Sequence, residues 1–238
     1  MMEGRFAPID HELLWLMDKD RPKVCVIPTP AGDAQEVLDR FYRAFDPYCD
    51  VHQLTPFRKP TERSVSLRNI AESLSAFDAI FVTGGSTKSA LGVWREWGID
   101  RALRAAYEAG VLLSGMSAGA ICWYEAAFTD SFNDGYAVLP GLGFLHGGCS
   151  PHHEDGSPRA EGLKQAVAEG EMPSTVAIDD YAAVLYQNEA AIASYSWAPN
   201  ASARTLKLRG GIVISEPLHV PELRLPEKGK GEKEATVA

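Results

Sequence analysis

Val111-Leu112-Leu113-Ser114-Gly115-Met116-Ser117-Ala118-Gly119-Ala120-Ile121-Cys122-Trp123 carries a Gly-x-Ser-x-Gly pentapeptide behind an apolar run. Val111-Leu112-Leu113 reads as a strand, and Ala120-Ile121-Cys122-Trp123-Tyr124-Glu125 as a run that can be helical. Strand, tight turn and helix form the context of a nucleophile elbow. The turn forces the serine into a strained conformation. Glycines flank it because a Cβ there would collide with the neighbouring strand and helix. The hydroxyl is then projected out of the sheet, at the N-terminus of a helix whose free N–H groups favour developing negative charge. The competing reading is a glycine-lined turn around a buried serine, and the flanking pattern weighs against it.

Working outward, the chain alternates strands and helices. Lys23-Val24-Cys25-Val26-Ile27-Pro28 reads as a buried strand, 33–45 as a helix, 50–54 as a weaker strand and 66–77 as a helix. Ala79-Ile80-Phe81-Val82-Thr83 is a strand running directly into Gly84-Gly85-Ser86-Thr87, followed by helices over 89–97 and 99–109. This alternation predicts a parallel sheet covered on both faces. Beyond the elbow, 128–148 reads as a loop with at most short strands, and 158–169 as a helix. The last third reads as β structure over 175–178, 182–186, 191–195 and 204–208, with Arg209-Gly210-Gly211-Ile212 as a hairpin turn. Residues 1–215 are expected to form one α/β domain. Residues 216–238, rich in Pro, Lys and Glu without periodicity, are expected to be a partly disordered tail.

Composition narrows the function. The 238 residues, 45% hydrophobic, suffice for one sizeable core. A net charge of −9 with scattered Lys and Arg argues against a nucleic-acid partner. The apolar runs are too short for a membrane span, and the N-terminal residues lack the apolar centre of a signal peptide. Cys25, Cys49, Cys122 and Cys149 are far apart and lack metal-ligand spacing, so reduced thiols in a cytoplasmic protein are expected.

Parallel sheets place their sites at the carboxyl ends of strands. Gly84-Gly85-Ser86-Thr87 and the Ser117 elbow both qualify, and N–H groups of Gly85 and Ala118 could form an oxyanion hole. A plain tight turn at Gly84-Gly85 is the competing reading. A nucleophilic serine usually needs a general base, and the base an orienting acid. Of the six histidines, His152 and His153 follow Cys149-Ser150-Pro151 and are best placed. Asp130, Asp134, Glu154, Asp155, Asp179 and Asp180 are candidate acids, and Asp179-Asp180 ends the apolar run Val176-Ala177-Ile178.

Gly115-Met116-Ser117-Ala118-Gly119-Ala120-Ile121-Cys122-Trp123, then Thr129-Asp130-Ser131-Phe132, Pro151-His152 and Ile178-Asp179-Asp180, together resemble the peptidase E family of serine peptidases. These are α-aspartyl dipeptidases with cyanophycinase as a relative. The approach from Arg21 to Asp33 and the run Phe81-Val82-Thr83-Gly84-Gly85-Ser86-Thr87 fit as well, so the similarity reaches about Val213. The resemblance implies a three-layer α/β sandwich with a mostly parallel sheet, flavodoxin-like and related to class I glutamine amidotransferases. It maps the nucleophile to Ser117, the base to His152 and the acid to Asp180, with Asp134, or Asp130, as the alternative acid. It implies hydrolysis of short peptides, Asp-X dipeptides among them, without metal or organic cofactor. Aspartate specificity needs a cationic pocket, for which Arg159 is the candidate. A homodimer is compatible with the reading. Departures are Ser86, where many members carry asparagine, Asp180, where glutamate is frequent, and Glu3-Gly4-Arg5-Phe6, where relatives begin with a glycine-rich strand.

Two other readings remain at this stage. An α/β-hydrolase esterase orders its triad serine, acid, histidine and would need His219 as base. A degenerate member of the family would be a small-molecule binding module.

Overall fold

A computed structural model describes residues 6–224. In chain order, its helices are α1 (Pro8–Met17), α2 (Gln35–Phe45), α3 (Ile70–Ser75), α4 (Thr87–Trp97), α5 (Ile99–Glu108), α6 (Ala118–Ile121) and α7 (Pro158–Ala168). Its strands are β1 (Lys23–Ile27), β2 (Asp50–Gln53), β3 (Ala79–Val82), β4 (Leu112–Gly115), β5 (Tyr124–Thr129), β6 (Ala137–Pro140), β7 (Leu145–Ser150), β8 (Thr175–Ile178), β9 (Ala182–Gln187), β10 (Ala190–Ser196), β11 (Ala203–Arg209), β12 (Ile212–Pro217) and β13 (Glu222–Arg224).

The first sheet is wholly parallel, in the order β2-β1-β3-β4. Alternation along its strands explains the layers. Val24 and Val26 of β1, with Ala79 and Phe81 of β3, face Leu38, Phe41 and Phe45 of α2. Cys25 and Ile27, with Ile80 and Val82, face the other way onto Leu91 and Trp94 of α4 and Leu103 of α5. Successive side chains of a strand point to opposite faces, so a sheet apolar at every position must be covered on both. The result is the three-layer α/β sandwich expected. α1 has no counterpart in the sequence reading. It starts at Pro8, and Leu13, Leu14 and Met17 pack on the α2 side.

A second sheet runs β12-β11-β8-β7-β5-β6, with β5, β7 and β8 parallel and β6, β11 and β12 antiparallel additions. Ala127 of β5 and Cys149 of β7 belong to the same buried cluster as Ile27 and Val82, so the two sheets share one core. A small third sheet, β13-β10-β9, completes the described residues.

The structure refines three expectations. The run from Ala120 to Glu125 is helical only to Ile121; β5 begins at Tyr124 and is buried at five of its six positions. The stretch 128–148 holds β6 and most of β7. β7 contains Gly147-Gly148, which lowers its strand propensity, but a Cβ on Gly148 would lie 2.5 Å from Cε of Met172 and 2.6 Å from Oγ1 of Thr175, so the close packing of these side chains favours glycine. The ordered chain also passes residue 215: β12 ends at Pro217, and β13 pairs in parallel with β10. Of the tail expected at 216–238, residues 225–238 lie outside the described residues, as do residues 3–5 of the segment 3–6.

Candidate active site

The elbow follows from steric exclusion around one carbonyl. A Cβ on Gly119 would lie 2.2 Å from the Val82 oxygen, and a Cβ on Gly115 would lie 2.8 Å from the same oxygen and 2.2 Å from that of Gly119. With glycine at both positions the turn closes over β3, and the Met116 N–H donates to the Val82 carbonyl at 3.2 Å. Ser117 is left at φ 53° and ψ −117°, a strained conformation for an L-residue. Two turn bonds hold it there, Gly119 N–H to Met116 O and Ala120 N–H to Ser117 O, each 2.9 Å.

α6 is a single turn of four residues. Its dipole is therefore slight, and the field expected of a helix continuing to Glu125 behind Ser117 is reduced. Any stabilisation of an oxyanion falls to individual N–H groups. Among the described residues, the N–H groups of Gly85 and Ala118 donate to no protein acceptor. Parallel pairing sets Val82 opposite Gly115 and so brings the Gly84-Gly85 turn beside the elbow. A Cβ on Gly84 would lie 3.3 Å from Ser117 Cβ and 3.8 Å from its Oγ. Gly85, at φ 135°, packs flat on the Pro30 carbonyl, where a Cβ would come within 2.1 Å of the oxygen. The Ser86 hydroxyl caps α4 by accepting from the Ser89 N–H at 3.3 Å. Serine and asparagine serve equally as N-caps, which accounts for this departure from the family pattern.

His152 and Asp180 follow the carboxyl ends of β7 and β8, adjacent parallel strands with Ser150 opposite Ala177. The site therefore lies where the carboxyl edges of the two large sheets meet. His152 Nε2 is 2.9 Å from Ser117 Oγ, and His152 Nδ1 is 2.5 Å from Asp180 Oδ1. His152 also has a left-handed backbone, φ 52°, and Tyr181 next to Asp180 has φ 63°. Strained residues thus occur on all three segments that meet here. A hydroxyl, an imidazole and a carboxylate in this order can abstract the serine proton and hold the imidazolium that forms.

The other expected residues are placed differently. Asp134 is on the exposed turn after β5 and makes no contact with His152, whose two ring nitrogens are both engaged. Asp130 pairs at 3.0 Å with Arg159, whose side chain is buried, donates to the Phe128 carbonyl and lies over the Tyr136 ring. Arg159 is thus tied to Asp130 beside the loop on which Ser131 accepts from the Thr87 N–H at 2.9 Å. His153 turns inward and is buried, and Asp179 binds Ser202. His219 lies on the exposed surface with Glu216 at 3.9 Å, so the serine–acid–histidine order of an α/β-hydrolase does not assemble at Ser117. Arg204, near Asp155 and Asp179, was not singled out in the sequence; no local pattern marks it. Among the described residues, no group of three or more His, Cys, Asp or Glu could hold a metal ion, and no helix is long and apolar enough to cross a membrane.

The sequence model of peptidase family S51 matches residues 1–193. The chain is 34% identical over 223 residues to the uncharacterized peptidase YgaJ of Bacillus subtilis strain 168, covering 93% of this chain and 94% of that protein. Its fold matches a crystal structure of a peptidase from an acI-B1 Actinobacterium, with TM-score 0.57 and 16% identity over 87% of this chain and 86% of the other. A Listeria monocytogenes EGD-e structure, described as a peptidase E candidate, matches with TM-score 0.51 and 20% identity over 84% and 89% of the two chains.

Proposed function

The chain belongs to peptidase family S51, and on that premise we propose that it is a serine peptidase hydrolysing short peptides, Asp-X dipeptides among them, through Ser117, His152 and Asp180. The observation that carries this reading is the continuous contact from Ser117 Oγ through both nitrogens of His152 to Asp180, with the serine on a strained elbow.

His152 Nε2 takes the Ser117 proton as Oγ attacks the scissile carbonyl. Asp180 holds the tautomer with the proton on Nδ1 and stabilises the imidazolium. The N–H groups of Gly85 and Ala118 receive the carbonyl oxygen as it becomes negative. His152 then gives its proton to the leaving amine, and water attacks the acyl-enzyme by the same base. Each oxyanion donor contributes about 3–4 kcal/mol in well-studied hydrolases. Arg159 is the cation nearest in role to an aspartate-binding group, with Asp130 as its partner until a substrate carboxylate competes. The four buried free thiols suit the cytoplasm.

Phosphonate labelling read by mass spectrometry, beside hydrolysis of a dipeptide panel, tests the reading in wild type, Ser117→Ala and His152→Ala. Labelling at Ser117 and cleavage of Asp-X dipeptides, both lost in the variants, are expected. Labelling without dipeptide cleavage would move the substrate to other amides or esters. A folded wild-type protein unlabelled at Ser117 would overturn the activated nucleophile.

A further inference from the structure

The segments carrying His152 and Asp180 are joined a second time, behind the site. Arg204 on β11 reaches both. Its Nη1 lies 2.8 Å from each carboxylate oxygen of Asp155, and its Nη2 lies 3.8 Å from Oδ2 of Asp179. Asp155 sits on the loop that His152 opens, and Asp179 immediately precedes Asp180. Asp179 is fixed further by Ser202, whose N–H and hydroxyl both donate to Oδ2, at 2.9 and 3.0 Å. The His153 N–H donates to the Ile178 carbonyl at 3.0 Å, and His153 Nε2 lies 3.5 Å from Asp155 Oδ1.

Stability alone is a poor reason for this arrangement. Arg204 Nε, Asp179 Oδ1 and His153 Nδ1 are buried without a protein partner. An ion network left partly unsatisfied stabilises poorly, because desolvation offsets much of its attraction. The guanidinium does supply geometry. It is planar and offers separate nitrogens to two carboxylates, which a lysine cannot do. Asp180 itself is 66% exposed, so the backbone bearing it has to be held from behind.

We propose that Arg204 is a positioning residue for the His152–Asp180 pair, fixing the separation of the two loops by gripping Asp155 and Asp179. The inference rests on the reading of Ser117, His152 and Asp180 as the catalytic group. Misplacement of a catalytic partner by about 1 Å can cost on the order of 100-fold in rate.

Arg204→Gln and Asp155→Asn test it. The second changes an exposed, isosteric side chain and weakens one arm of the grip, removing its charge and one of its two acceptors, without opening the core. Either change should lower kcat on the best dipeptide of the panel by about tenfold or more, with KM within about threefold. In an Asp180→Asn background the same changes should cost less than about twofold, because the contact to be positioned is gone. Equal losses in both backgrounds, as a purely structural role would give, overturn the proposal. Nitrogen-15 resonance of the His152 ring supplies a readout independent of hydrolysis. The Nδ1–H tautomer should predominate in wild type and lose ground in Asp155→Asn. An unchanged tautomer ratio in both variants overturns the proposal even if the protein cleaves no peptide. Hydrolysis surviving in Ser117→Ala overturns the catalytic reading instead.

Discussion

His152 Nε2 lies 2.9 Å from Ser117 Oγ, across 35 positions of chain and from one sheet to the other. The contact is made by residues that leave ordinary backbone space, Ser117 at φ 53° and His152 at φ 52°. Strain of this kind costs on the order of 1–3 kcal/mol per residue and persists only where the surroundings over-determine it. Here the Val82 carbonyl and the β7–β8 pairing do so.

Asp180 should prove the acid that matters. Serine proteases with a buried triad aspartate lose about 10,000-fold in kcat when it becomes asparagine. Asp180 is exposed, so solvent already screens the pair, and Asp180→Asn should cost less, about 10- to 1,000-fold. Asp134→Asn should stay within about twofold of wild type, since no His152 nitrogen is open to it. Steady-state rates decide; the reverse ranking would transfer the role to Asp134.

Two glycine-to-alanine changes should act in opposite directions. Gly119→Ala places a Cβ 2.2 Å from a backbone oxygen and should cost about 3 kcal/mol or prevent folding. Gly92→Ala in α4 meets nothing within 4 Å and should stabilise by about 0.5–1 kcal/mol through its helix preference. Urea unfolding midpoints compare them.

The thiols should be silent in the native protein. Burial pushes Cys49 up to about 11 and Cys149 up to about 12, and raises Cys25 and Cys122 as well. At pH 8 an aromatic disulfide reagent should modify none of the four until denaturant is added, and then all of them. Rapid modification in native buffer would show a thiol reaching the surface.

Stability should fall on the acid side of neutrality in part through His153. Burial holds its pKa below the ordinary 6.5, with Arg204 adding to the effect and Asp179 and Asp155 opposing it. The unfolded chain therefore binds more protons here, so the contribution is full above about 6.5 and is lost as pH falls through the lower folded value. His153→Gln should flatten the unfolding free energy over that window. Parallel curves for variant and wild type would show that His153 titrates alike in both states.

Much of the site could be read from the chain because its parts sit at strand ends that announce themselves. β1, β3 and β4 are short apolar runs, and the two glycine-rich turns follow β3 and β4 directly. His152 and Asp180 emerge as residues just past the ends of β7 and β8. β5 was hidden because Ala120 to Glu125 suits a helix locally, and only pairing with β6 and β7 makes Tyr124 extended. β7 was hidden by its own glycines, whose reasons lie in distant residues, the Ser174 carbonyl for Gly147 and the Met172 and Thr175 side chains for Gly148. Arg204 was invisible for a further reason: its partners are Asp155 and Asp179, 49 and 25 residues away, and no spacing rule joins three separate segments.

The Val82 carbonyl touches the space of both glycines that flank Ser117 but leaves the serine side chain free. In descent, the proposed nucleophile is thus the more replaceable part of its own turn. A lineage could exchange or lose the hydroxyl and still inherit the elbow, whereas loss of Gly119 would remove the turn itself. Silent relatives of this chain should therefore be sought by their paired glycines, with any small residue between them.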